Sequence, residues 1–122
     1  MTPIELRTKV LQRLQVLAAG ETPNADDGQI VSQRYAFVHD ALLDMDLASW
    51  AIDEDIPEAV SIPVVNIVSY ACASEFGIIG PLLGQLAIEG ALDSDPVSAG
   101  ERQLRKRQSA RYADEPAQPE YF

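Results

Sequence analysis

His39 is the only histidine in this chain and Cys72 the only cysteine, so the side chains best suited to metal or nucleophilic chemistry occur once each, far apart. A metal site needs three or four converging ligands. The i to i+4 row through Tyr35, His39 and Leu43 brings no carboxylate to the imidazole, and His39 reads as a surface or boundary residue. Cys72 lies in an apolar run and reads as a small core residue. Asp53, Glu54 and Asp55 are consecutive and lack the alternate spacing, central glycine and closing glutamate of a calcium loop, which makes them a solvated turn. No glycine-rich phosphate loop follows a strand, and no nucleophile has a base beside it in sequence. The expectation is a nonenzymatic protein without metal or cofactor.

What remains is charge. Residues 20–98 carry one basic residue, Arg34, against fourteen acidic ones; Arg102, Arg105, Lys106, Arg107 and Arg111 then follow in one short run. Arg102 and Lys106 share one face of a helix and Arg107 and Arg111 another, so the charge wraps around the helix and does not form the single stripe a duplex groove favours. Three readings compete: a solvated helix whose cations suit its own C-terminal dipole, docking onto an acidic protein surface, and direct nucleic-acid contact. The net charge of −10 opposes nonspecific binding to DNA phosphates by the molecule as a whole. Beyond the run, Pro116 and Pro119 interrupt a segment with no apolar period, which reads as extended. Eleven residues from Tyr112 to Phe122 reach about 36 Å in that form; Tyr121 and Phe122 are candidate anchors for a groove on a partner and Tyr112 a candidate contact, with a frayed terminus as the competing reading.

These residues need a scaffold, and 122 residues with 47% apolar content suffice for one domain of ordinary size. Thr2, Pro3 and Glu5 supply a capping box and a first-turn proline. Leu6, Val10, Leu14 and Leu17 continue the stripe, widened by Ile4 and Leu11, to a C-cap expected at Gly20. Thr22-Pro23 begins a long second helix with Asp26 and Asp27 in its first turn. Its expected buried rows are Ile30, Arg34, Phe37, Ala41 and Met45 together with Val31, Tyr35, Val38 and Leu42, leaving Asp40 and Asp44 outside.

Ile56-Pro57-Glu58 opens another helix, which Pro63 kinks or restarts with Ser61 as cap. From Val64 to Phe76 the helix is apolar nearly all round and therefore central, with a buried strand as the weaker alternative. Its remaining face carries the compact Asn66, Ser69 and Ala73, suited to close helix packing within the subunit or between subunits. Gly77 and Gly80-Pro81 form a turn before a short helix through Leu82, Leu83, Leu86 and Ile88. Asp95-Pro96 begins the last helix, with a second capping box at Ser98 to Glu101; Val97 and Leu104 alone offer it little core. The fold expected is all-α, four to five helices, with a core domain over 1–94 and a projecting docking helix and extended arm over 95–122. No stretch is long and uninterrupted enough to span a bilayer, and a single cysteine without a signal-like N-terminus suggests a reducing, cytosolic setting.

The order of elements resembles the small helical head-to-tail adaptor proteins of tailed bacteriophages, especially the tail accessory factors of short-tailed phages that stabilise packaged DNA. The similar stretches are Leu14-Gln-Val-Leu-Ala-Ala-Gly-Glu-Thr-Pro23, Ala41-Leu-Leu-Asp-Met-Asp-Leu-Ala-Ser-Trp50, Ile56-Pro-Glu58 and Asn66-Ile-Val-Ser-Tyr-Ala-Cys-Ala-Ser-Glu-Phe-Gly77, followed by a basic helix and an irregular tail. The resemblance covers about residues 2 to 112. It implies a virion protein assembled in the bacterial cytoplasm, forming a ring of twelve with neighbouring copies beneath the portal protein. It also implies a docking surface for a tail nozzle or other tail protein, with DNA passing through unbound and no membrane involved. A small acidic regulator that binds a host or phage protein is the alternative, with DNA mimicry as one form of it, a form against which Asp26, Asp40, Asp44 and Asp53 to Asp55 count because they are too scattered to make one outer array. A nucleic-acid module using residues 102–111 is the third reading.

Overall fold

The computed structural model describes residues 1–113, which form five α-helices and two short 3-10 turns with no strand among them. The side chain of Tyr112, together with Tyr121 and Phe122, lies outside the described residues.

Helix α1 (Pro3–Arg13) starts as its capping box requires: Thr2 Oγ1 accepts from the Glu5 N–H at 3.1 Å, and Glu5 reaches back to the Thr2 N–H at 3.5 Å. It ends a turn and a half earlier than the apolar spacing suggested. Leu14 is the C-cap, Gln15 takes a left-handed φ of 62°, and the N–H groups of Val16 and Leu17 both return to the Leu11 carbonyl. The turn still delivers Leu14 to the core, so the same stripe is satisfied without continuing the helix.

Helix α2 (Ala25–Asp44) is capped by Asn24, whose Oδ1 accepts from the Asp27 N–H at 2.8 Å; the Thr22-Pro23 start is displaced by two residues. Of its two candidate rows only Val31, Tyr35, Val38 and Leu42 are buried. Ile30, Arg34, Ala41 and Met45 are half-buried, and Phe37 is 68% exposed. After α2 the chain packs Leu47, Ala48, Trp50 and Ile56 inward and leaves Asp53, Glu54 and Asp55 in solvent. Ile56 is stitched to the start of the chain by hydrogen bonds with Met1, its N–H to the Met1 carbonyl at 2.7 Å and its carbonyl from the Met1 amine at 3.0 Å.

A 3-10 turn (Glu58–Val60) leads into α3 (Ser61–Cys72), where Pro63 sits in the first turn and removes only a donor that has no helical partner. This is a restart, but Val60 occupies the cap position and Ser61 Oγ donates to the Glu58 carbonyl at 2.9 Å. Helix α3 is the axis of the fold: α1, α2, α4 and α5 all pack on it. Glu58–Phe76 as a whole has the length and mean hydropathy, 1.3, of a membrane span; here its apolar side chains Val64, Ile67, Val68 and Cys72 are covered by the other helices. Burial pushes the Cys72 thiol up to about 12, an inert core residue as its neighbours in sequence suggested.

A second 3-10 turn (Ala73–Phe76) closes on Gly77, whose φ of 67° suits a residue without a Cβ. Helix α4 (Gly80–Gly90) then lies along the small face of α3. At Gly90 a Cβ would stand 2.1 Å from the Asn66 carbonyl oxygen, so only glycine permits this approach. Ser69 and Ala73 are buried, and Ser69 Oγ has no partner among the described residues. Ser69 and Ala73 of the small face are thus packed inside the subunit, while Asn66 is half-buried, meeting Gly90 through its backbone carbonyl and bordering a hollow between α1 and α3. Ion pairs Arg13–Glu89 and Arg34–Glu75 tie α1 to α4 and α2 to the turn after α3.

Candidate docking surface

Helix α5 (Ala99–Ala113) begins three residues later than Asp95-Pro96 suggested, and Ser98 is its cap: Ser98 Oγ accepts from the Glu101 N–H at 3.2 Å. Glu101 does not return the bond to Ser98. Its buried carboxylate accepts from the Asp93 N–H at 2.8 Å and from Arg105 Nε at 2.8 Å, locking the loop before the helix to the helix's second turn. Burial works against the charged form, but the bonds from Arg105 and the Asp93 N–H outweigh it and hold the Glu101 carboxyl below the ordinary glutamate range.

Two further contacts seat α5. A Cβ at Gly100 would lie 2.7 Å from the Glu89 carbonyl oxygen, so this turn presses against the end of α4, and Leu104 is 1% exposed. Gln108 donates to the Met45 and Asp46 carbonyls at 3.3 and 2.9 Å, and Arg111 donates to the Asp46 carbonyl at 3.1 Å. The first turns of α5 therefore belong to the packed body, and the boundary expected at residue 94 does not separate two packing units. A sparse apolar pattern understated this hold because glycine, a buried carboxylate and one leucine supply it.

With that side of the helix engaged, the five cations divide by role. Arg105 is neutralised by Glu101, and Arg111 is engaged with Asp46. Arg102, Lys106 and Arg107 are exposed and have no ion-pair partner among the described residues. Arg102 and Lys106 occupy the outward side. Arg107 and Arg111 border a groove of about 210 Å³ between α5 and the segment from Leu47 to Val60, with Leu47, Trp50, Pro57, Val60 and Leu104 among its lining residues. The two faces read from the sequence are thus both present, one facing solvent and one facing a groove.

The wall of that groove is stiffened by a buried polar cluster. Trp50 Nε1 donates to the Tyr35 hydroxyl at 2.9 Å, His39 Nε2 lies 2.7 Å from the Trp50 carbonyl oxygen, and the His39 ring stands edge-on to Tyr35 at 5.9 Å. Burial pushes the Tyr35 phenol up from its ordinary value, partly offset by the Trp50 bond. His39 is 3% exposed, which corrects its reading as a surface or boundary residue: its partner is a backbone carbonyl eleven residues on, invisible to a search for side-chain ligands. No group of three or more metal-ligating side chains exists among the described residues.

A wider hollow of about 420 Å³ lies between α1 and α3, beside Lys9, Arg13, Ile62 and Val65, but Arg13 there is already paired with Glu89. Among the described residues, the α5 surface is the one that concentrates uncompensated positive charge. No family profile, curated protein or solved structure matches this chain.

Proposed function

We propose that this protein is a structural adaptor of a tailed-bacteriophage virion, a ring subunit beneath the portal protein that extends the DNA channel and docks the next tail component. The observation that carries the reading is the division of charge: Arg102, Lys106 and Arg107 have no ion-pair partner among the described residues and stand on a clamped helix, while residues 20–98 are strongly acidic. A ring closes through heterologous contacts, in which two different surfaces of one molecule complement each other, and a basic helix on an acidic body supplies such a pair. The groove beside α5, apolar within and bordered by guanidinium groups, suits a segment of a partner that carries an apolar anchor next to a carboxylate.

The acidic body serves the same purpose from the other side. Each phosphate neutralised by a cation adds salt-dependent affinity, so a conduit that must let DNA slide gains from walls that do not grip it. The order of elements, similar to the head-to-tail adaptors, supports the same assignment.

Electron microscopy of the purified protein, alone and mixed with purified portal proteins of short-tailed phages, tests it. Rings stacked coaxially on a portal are the expected result. A persistent monomer that ignores portals would overturn the adaptor reading in favour of a small acidic regulator of the host or phage cytoplasm.

A further inference from the structure

The outward face of α2 is not covered by any other element among the described residues, although it is equipped for a partner. Phe37 is 68% exposed and Leu43 49%, with exposed Ala36 beside them, while Asp40 and Asp44 project from the same side. Neither aspartate forms an ion pair among the described residues. One approach to Phe37 is already occupied: the Arg34 guanidinium lies 6.0 Å from the ring centroid and is itself held by Glu75. A large aromatic beside two unpaired carboxylates on a rigid helix is an anchor with its charged flank.

The outward face of α5 is its complement in both charge and spacing. Along α2 the residues Phe37, Asp40 and Asp44 fall at steps of three and four; along α5 Arg102, Lys106 and Ser109 fall at steps of four and three. Laid antiparallel, the two rows coincide. Asp44 meets Arg102, Asp40 meets Lys106, and Phe37 falls beside Ser109 and Ala110, small exposed residues that leave room for the ring. The charges on each row are about 6 Å apart along the axis, one turn on each helix. The aliphatic stems of Arg102 and Lys106 can cover the apolar surface around Phe37 while their heads reach the carboxylates.

We infer that the outward face of α2 is the docking surface for α5 of a second copy of this chain, with Phe37 as anchor and Asp40 and Asp44 pairing Lys106 and Arg102. The inference rests on the ring reading, and it names the contact that would close the ring. It uses the outward side of α5 and leaves the Arg107 groove for a different protein.

Charge exchange tests it. Sedimentation velocity at low and high salt would be run on the wild type, on Asp40→Lys/Asp44→Lys, on Arg102→Glu/Lys106→Glu, and on an equimolar mixture of the two variants, with thermal melts as a control for folding. The wild type is expected to assemble, and less so at high salt. Each variant should weaken self-association at least ~100-fold with its melting temperature unchanged. The mixture should reassemble, because every α2–α5 contact in an alternating assembly again joins opposite charges. Phe37→Ser should also weaken assembly, with no loss of folding. If the wild type assembles and both charge variants assemble as well as it does, the contact is wrong while the ring reading stands. A wild type that stops at a dimer disrupted by both variants supports the contact and overturns the ring. A wild type that stays monomeric alone and on a portal overturns both.

Discussion

Gly90→Ala, measured against Gly84→Ala, probes whether the small face of α3 is truly closed inside the subunit. Both glycines lie in α4: Gly84, in the helix interior, gains the helix propensity of alanine, about 0.8–1 kcal/mol, whereas Gly90 is the last helical residue and gains less. At Gly84 nothing lies within 4 Å of the new Cβ, and the full gain should appear as a rise in melting temperature of ~3–6 °C for a chain of this size. At Gly90 the new Cβ stands 2.1 Å from the Asn66 carbonyl oxygen and 2.6 Å from its carbon. Relief to ordinary contact at 3.4 Å requires a shift of about 1.3 Å between two helix backbones, and backbone cannot rotate aside as a side chain can. Overpacking of a close core costs about 1–3 kcal/mol, and a backbone-to-backbone clash belongs at the upper end. Urea denaturation should place Gly90→Ala at least 2 kcal/mol below the wild type on the order-of-magnitude scale of overpacked cores. A Gly90→Ala protein as stable as Gly84→Ala would refute the close α3–α4 approach and reopen the small face as a contact between subunits.

Other outcomes follow from the anchoring of α5. Because the Glu101 carboxyl is held below its ordinary range, its contribution is complete above the ordinary glutamate value and is lost as pH falls through the lowered one; amide exchange across residues 98–111 should accelerate there, and Glu101→Gln should remove the pH dependence. Arg105→Glu should destabilise by about 3 kcal/mol, since it faces a buried carboxylate with a second one, whereas Lys106→Glu, at an unpaired exposed site, should move the melting curve by less than ~0.5 kcal/mol. His39→Leu should cost roughly 1–3 kcal/mol in urea by leaving the buried Trp50 carbonyl without its partner, visible also as a shift in Trp50 fluorescence. Ser69→Ala removes a buried hydroxyl with no partner among the described residues and should hold or raise stability by about 1 kcal/mol.

Local rules settled much of this molecule from the sequence. The all-helical class, the start at Thr2, the restart of the central helix near Pro63, the breaks at Gly77 and Gly80 and the opposition between an acidic body and a basic helix all rest on residues a few positions apart or on composition. Such signals act within one turn and survive any tertiary arrangement. Choices among equivalent faces were not decided there. Phe37 and His39 lie on the same long helix, and nothing local says that the aromatic belongs in solvent and the imidazole in the core; the Trp50 carbonyl, brought back by the loop after α2, decides it. Likewise five cations in one run look alike until packing presents Glu101 to Arg105 and Asp46 to Arg111, leaving Arg102, Lys106 and Arg107 without an ion-pair partner among the described residues. Nothing local marks Gly90 and Gly100 as contact points, yet at each a Cβ would run into a neighbouring helix's backbone carbonyl. Backbone approach, burial of a charge and the pairing of distant groups are properties of three-dimensional neighbours, and only folding supplies those.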